Sequence, residues 1–263
     1  MTMNPDIKEI LYKTNDGKVI DIPDDIASQM GIVKNEYFSS HGLLTFNNTV
    51  TSLNNQIFRG QTTLTSVDLP PECGNIEDNA FENCTWITKV TIPESVTSIG
   101  RNSFKNCPNA VEMQDGITYI GKWLLECGTN VENVAIREDT VGIATWAFWG
   151  CNQITEVVIP DSVTIIGEYA FHNCNQLTFN IYGNCKYLGN ENNPYHVLID
   201  TTNTTDVSYN IHEDTKVIGC YAFSFCYNLT SVVIPNSVMT IGNNAFSYCN
   251  NLTSVVIGEG VTS

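Results

Sequence analysis

Apolar positions recur along this chain every 23 residues, in the same internal order each time. Leu229–Asn251 reads LTSVVIPNSVMTIGNNAFSYCNN, Ile154–Gln176 reads ITEVVIPDSVTIIGEYAFHNCNQ, Ile87–Asn109 reads ITKVTIPESVTSIGRNSFKNCPN, and Leu64–Trp86 reads LTSVDLPPECGNIEDNAFENCTW. A fixed period of this size predicts a solenoid, in which each coil buries its neighbour's apolar face. Within LTSVVIP the later apolar positions alternate, as in a strand with every second side chain inward. Stacked coils then pair these strands into a parallel sheet, about 4.8 Å apart. Pro70, Pro93, Pro160 and Pro235 end the strand, because proline lacks the N–H that a ladder needs. A second extended piece such as Ser95–Gly100 follows, and Gly100, Gly121, Gly167, Gly219 and Gly242 are expected to give a tight corner. The Ala-Phe-x-x-Cys segment predicts one short helical or 3₁₀ turn. Its Phe, at 58, 81, 104, 148, 171, 223 and 246, is the predicted interior of each coil.

The predicted fold is therefore a β-rich solenoid of about nine and a half coils over residues 41–263, with residues 1–40 as an N-terminal cap. In the cap, Glu9–Ile20 (EILYKTNDGKVI) predicts a β-hairpin about Asn15-Asp16-Gly17, since Asp-Gly supplies positive φ. Ile26–Met30 predicts a short helical turn before Gly31. Two coils are irregular. Coil 110–130 is two residues short, with Ile117, Ile120-Gly121 and Leu124-Leu125 expected to keep the phase. Coil 177–205 carries six extra residues, and its NENNPYHVLI replaces the Ala-Phe-x-x-Cys turn. The last segment, LTSVVIGEGVTS, starts a tenth coil and stops halfway. Such an open coil exposes strand edges and core, and is expected to continue, to take a capping partner or to self-associate.

At these residues the chain resembles the BspA-like (Treponema-type) leucine-rich repeats, whose pattern is roughly L-x-x-V-x-I-P-x-S-V-x-x-I-G-x-x-A-F-x-x-C. Coils 154–176 and 229–251 match nearly every fixed position, and the resemblance covers about residues 41–263. The opening EILYKTNDGKVI is similar to the segment that precedes such repeats in gut Bacteroides proteins, which implies a bacterium of that type or an associated mobile element. The resemblance further implies a non-enzymatic protein, secreted or displayed at the cell surface, that adheres to host proteins such as extracellular-matrix components or to other cells.

Composition narrows the partners. A net charge of −16 argues against nucleic acid and anionic membranes, whose phosphates it would repel. No apolar run approaches the roughly 18 residues that span a bilayer, so no membrane insertion is expected. The start, MTMNPDIKEI, has no signal-peptide pattern, which leaves a cytoplasmic or virion location open beside the surface one. Cys84, Cys107, Cys151, Cys174, Cys226 and Cys249 share one repeat position and predict a ladder of buried thiols. Cys73, Cys127, Cys185 and Cys220 lie off that row. His41, His172, His196 and His212 are scattered, and no metal, nucleophile or phosphate motif occurs, so no catalytic residue, metal or cofactor is expected.

One constellation stands out. Trp123, Trp146, Tyr169 and Tyr221 precede the Ala position of their coils, and Trp149 and Phe225 lie near them in repeat phase. A row of rings on successive coils reads either as a recognition surface for a protein ligand or as a ladder that stiffens the stack. Three functions follow from the sequence: a non-enzymatic binding or adhesion module, a structural part of a larger surface fibre or virion, and a non-catalytic arm of a longer protein.

Overall fold

The computed structural model describes residues 8–54 and 56–262; residues 1–7 of the expected cap lie outside that range. The chain divides into two compact units, Met1–Gln114 with Thr118–Gly121, and Asp115–Ile117 with Lys122–Ser263. Both are β-solenoid, about nine turns in all, with very little helix.

The first unit contains β1 (Glu9–Thr14), α1 (Asp24–Met30), β2 (Ile32–Tyr37), β3 (Gly42–Phe46), β4 (Ser52–Leu53), β5 (Leu64–Asp68), β6 (Asn75–Ile76), β7 (Lys89–Thr91), β8 (Ser98–Ile99) and β9 (Glu112–Gln114). The repeat sets the register directly. Ser66 pairs with Lys89, and Asn75 with Ser98, each parallel and 23 positions apart. The expected turn at Ile26–Met30 is α1, closed by Gly31 at φ 67°.

The hairpin expected over Glu9–Ile20 does not form. Asp16-Gly17 turns the chain, with Gly17 at φ 68°, but residues 18–20 do not return as a strand. Both edges of β1 are already occupied: it lies between β3 and β5, antiparallel to each. Ile20 is instead held by its N–H donating to the Tyr12 hydroxyl (3.4 Å) and by the Asn35 amide donating to its carbonyl (2.8 Å). The N-terminal hairpin that does exist is β2–β3. Gly42 is required there, because a Cβ at that position would lie 2.0 Å from the Tyr12 ring across the pair.

The interior repeats as expected. Phe58, Phe81 and Phe104 stack at 5.3 and 5.0 Å between centroids. Each fully buried ring of this kind contributes about 1.5–3 kcal/mol relative to exposure. The repeat cysteine has a second role beside filling space. Cys84 Sγ–H donates to the Phe58 carbonyl (2.8 Å) and Cys107 to that of Phe81 (2.9 Å), tying each turn to the preceding coil. Of the corner glycines, Gly121 has the positive φ of a tight corner (51°), but others act differently from the expectation. Gly100 and Gly167 are not in the left-handed region; a Cβ on either would lie 2.4 Å from the backbone nitrogen of Asp78 or Thr145. They permit coils to approach each other, rather than bending one coil.

The rest of the chain carries β10 (Ile117–Ile120), β11 (Trp123–Cys127), β12 (Asn133–Ala135), β13 (Gly142–Ile143), β14 (Glu156–Val158), β15 (Ile165–Ile166), β16 (Asn180–Tyr182), β17 (Cys185–Leu188), β18 (Val197–Thr201), β19 (Val217–Ile218), β20 (Ser231–Ile234), β21 (Thr240–Ile241) and β22 (Ser254–Ile257). Parallel pairs β12–β14, β11–β13–β15, β18–β19–β21 and β20–β22 build the second unit. Phe148–Phe171 and Phe223–Phe246 stack at 4.9 and 5.0 Å, and Cys174 and Cys249 donate to the Phe148 and Phe223 carbonyls.

The irregular coils differ from the expected phase. Leu124, rather than Ile120, pairs with Ile143, and Trp123 pairs with Gly142. Leu198 likewise pairs with Ile218. Both coils thus put a five-residue strand where other coils have a two-residue one, and β11 and β18 share one burial pattern. In coil 177–205 the extra residues form an antiparallel meander, β16–β17–β18. All ten cysteines are free thiols. No helix among the described residues is long and apolar enough to cross a membrane.

Candidate functional site

The turn that carries Ala-Phe-x-x-Cys is a chain of i→i+3 backbone bonds, for example Ala80 N–H to Glu77 O and Cys84 N–H to Phe81 O. It does not wind into a helix because two of its positions are left-handed: the residue before Ala and the residue before Cys. In the first unit those positions are Asn79, Asn83, Asn102 and Asn106, with φ between 55° and 65°. Asparagine tolerates this region because its short amide bonds locally. In the second unit five of the same positions are aromatic: Trp146 (φ 65°), Tyr169 (54°), Tyr221 (61°), Phe225 (62°) and Tyr248 (60°).

A bulky residue in left-handed backbone costs about 1–3 kcal/mol. Ring pairing returns about 0.5–1.5 kcal/mol. The rings do stack: Tyr169–Tyr221 at 4.8 Å, Phe225–Tyr248 at 4.9 Å, and Trp146–Tyr169 edge-on at 5.8 Å. The stacking offsets the backbone cost at best, so stability alone does not account for rings here. They are also accessible, with Tyr169 39%, Phe225 46% and Tyr248 62% exposed.

The sequence-predicted residues therefore separate. Trp146, Tyr169 and Tyr221 form one row. Trp149 leans on Trp146 at 5.0 Å. Phe225 belongs to the second left-handed position, with Tyr248. Trp123 is not in the row. It is buried in β11 over Gly142, whose absent side chain makes room for the indole. The physical reason is the phase shift of coil 110–130, which places Trp123 in a strand rather than before a turn. Tyr248 is absent from the sequence-predicted set although, like Phe225, it is an aromatic residue immediately before the repeat cysteine.

Backbone rungs tie each turn to the next. Trp146, Phe148 and Gly150 N–H donate to the carbonyls of Glu168, Ala170 and His172, and Tyr221, Phe223 and Phe225 donate to those of Asn243, Ala245 and Ser247. Between the turn at 169–174 and the turn at 221–226 such rungs are missing, because coil 177–205 sends β18 through this tier instead of a turn. The Tyr169–Tyr221 stack and the bond from Cys220 Sγ to Ile166 O (3.3 Å) bridge the gap. A cavity of about 820 Å³ opens there. Its walls include Tyr169, Tyr221, Phe225 and Tyr248 and the Lys186–Asp200 ion pair (2.8 Å). The hydrogen bond to Tyr169, then burial, pushes the Tyr221 hydroxyl up to about 12. Burial pushes the Cys220 thiol up to about 11. Cys174, two residues from the exposed His172, is buried and pushed up to about 12, so it is a hydrogen-bond donor rather than a thiolate. Among the described residues no group of three His, Cys, Asp or Glu side chains is arranged to hold a metal ion.

The repeat, its parallel register and the Phe and Cys ladders agree with one family profile, the BspA type leucine rich repeat region, which matches in 6 copies over residues 31–113, 75–195 and 201–263. The chain belongs to the BspA-type leucine-rich repeat family. This repeat family is one of bacterial surface proteins that generally bind other proteins, and its solenoids are typically non-catalytic. Among solved structures, a leucine rich cell surface protein from Faecalibacterium prausnitzii is 23% identical over 88% of this chain and 69% of its own, with TM-score 0.31. A Treponema pallidum leucine rich repeat protein is 18% identical over 80% and 75%, with TM-score 0.28. A leucine-rich repeat protein from Bacteroides ovatus is 19% identical over 92% and 87%, with TM-score 0.23. No curated protein matches the chain significantly.

Proposed function

We propose that this leucine-rich repeat protein is a non-catalytic adhesion module, acting at the cell surface, that holds a protein ligand against the aromatic turn face of its second unit. The observation that carries this reading is the set of five rings in left-handed backbone, at positions where the first unit has asparagine. Rings bring large contact area at low entropy cost, and a strained side chain that returns little stability is retained for something else. The ligand class is an extracellular-matrix or cell-surface protein, and residues 1–40 act as the cap of the solenoid. The test uses immobilised collagen, laminin and fibronectin. Binding by at least one, weakened about tenfold in the Trp146→Asn/Tyr169→Asn double variant at unchanged or higher Tm, supports the reading. No binding to any of the three, or equal binding by the variant, removes it.

A structural reading is supported by a separate observation. Val255 and Ile257 of β22 are 44% and 57% exposed, whereas Val232 and Ile234 of β20 are 3% and 2% exposed. That face is suited to another β layer, be it a further coil, a second copy or a fibre partner. Light scattering across a concentration series, with Val255→Ser/Ile257→Ser as control, checks it; a constant mass would remove self-association.

A further inference from the structure

The cavity beside the missing turn has a polar complement that names a ligand chemistry. The Asn173 amide and the Ser224 and Ser247 hydroxyls line it. Each is donor and acceptor at once. Asp200 adds acceptor capacity: Lys186 and the Thr201 N–H each take one of its oxygens, leaving further lone pairs. The exposed rings of Phe225 and Tyr248 line it as well. The volume, about 820 Å³, lies within the range of small-ligand sites.

Two chemistries use aromatic grooves of this kind. A proline-rich segment presents carbonyl acceptors and few donors, so it would leave the carboxylate and the amphoteric groups half used. A sugar presents hydroxyls that both donate and accept, beside a C–H face that lies flat on a ring. We propose that this cavity binds a neutral oligosaccharide, with Phe225 and Tyr248 against its apolar face and Asn173, Ser224, Ser247 and Asp200 pairing its hydroxyls. The assignment rests on the turn face being a recognition surface, and goes beyond the protein-ligand reading in what it recognises.

Phe225→Asn and Tyr248→Asn are the informative variants, because asparagine is what the first unit carries at this left-handed position and it tolerates that backbone. Titration calorimetry with cellohexaose, maltohexaose, mannohexaose and N-acetylchitohexaose is expected to show saturable binding below millimolar concentration for at least one. Each variant is expected to weaken that binding about tenfold, the scale of one ring contact, with Tm unchanged or raised. Decaproline is expected not to bind. The proposal is overturned if all four saccharides fail, if the variants bind as tightly as the parent, or if decaproline alone saturates. Loss of the saccharide result while a matrix protein still binds through Trp146 and Tyr169 removes only the oligosaccharide; failure of both removes the recognition face itself.

Discussion

The turns of the two units share a backbone and differ in what they place on it. At the position before Cys, the first unit has Asn83 and Asn106, whose side chains bond to each other along the stack at 2.7 Å. The second unit has Gly150 and Asn173 in two coils and Phe225 and Tyr248 in the last two, the rings stacked at 4.9 Å with an interplanar angle of 4°. At the position before Ala, Asn79 and Asn102 are matched by Trp146, Tyr169 and Tyr221, and by a further asparagine, Asn244, in the last full coil. The Asn83–Asn106 bond pairs polar groups along the stack, whereas the ring ladder leaves large apolar area exposed at a backbone cost. The interior beneath is the same in both, so the comparison separates what the repeat needs for folding from what one region adds on its surface.

That separation is testable. Phe81 and Phe148 are both fully buried, so Phe81→Ala and Phe148→Ala are each expected to lose about 3–5 kcal/mol in chemical denaturation. A loss below about 1 kcal/mol in either unit would show that the two interiors are not equivalent. Next in size, Cys84→Ala and Cys174→Ala remove both volume and the bond to a Phe carbonyl, and are each expected to cost about 1–2 kcal/mol. Smaller is a reciprocal exchange. Asn102→Tyr is expected to destabilise by about 1 kcal/mol, while Tyr169→Asn leaves Tm unchanged or raises it. A comparable loss of stability in Tyr169→Asn would mean that the rings are structural after all.

The smallest expected effect is on pH. His196, in the irregular coil, is 1% exposed, donates Nε2–H to Val163 O at 2.8 Å, and has its pKa lowered, chiefly by burial. The folded imidazole stays neutral where the unfolded one takes a proton, so this contribution is lost as pH falls below about 6.5. The slope is at most about 1.4 kcal/mol per pH unit, read as urea midpoints between pH 7 and 5, and is absent in His196→Gln.

Much of the fold could be read from the residues. The period, the inward Val and Ile, the Phe interior and the thiol row are local patterns that repeat, and repetition turns a weak signal into a firm one. The hairpin at Asp16-Gly17 was misread because a turn signal says nothing about which strand edges are already taken. The site was half legible. Tyr169 and Tyr221 stand out as rings before Ala, yet they meet only because the coil between them lacks a turn. Trp123 looks the same in sequence and ends up buried.

By itself, then, the sequence determined the coil, its register and its interior, since each depends on side chains at fixed spacing and on contacts between equivalent positions one period apart. Only the tertiary structure decided where β1 inserts, which aromatic residues face solvent and where a cavity opens. Those outcomes depend on the coils that break the period, and a departure from repetition has no equivalent neighbour from which its placement can be inferred.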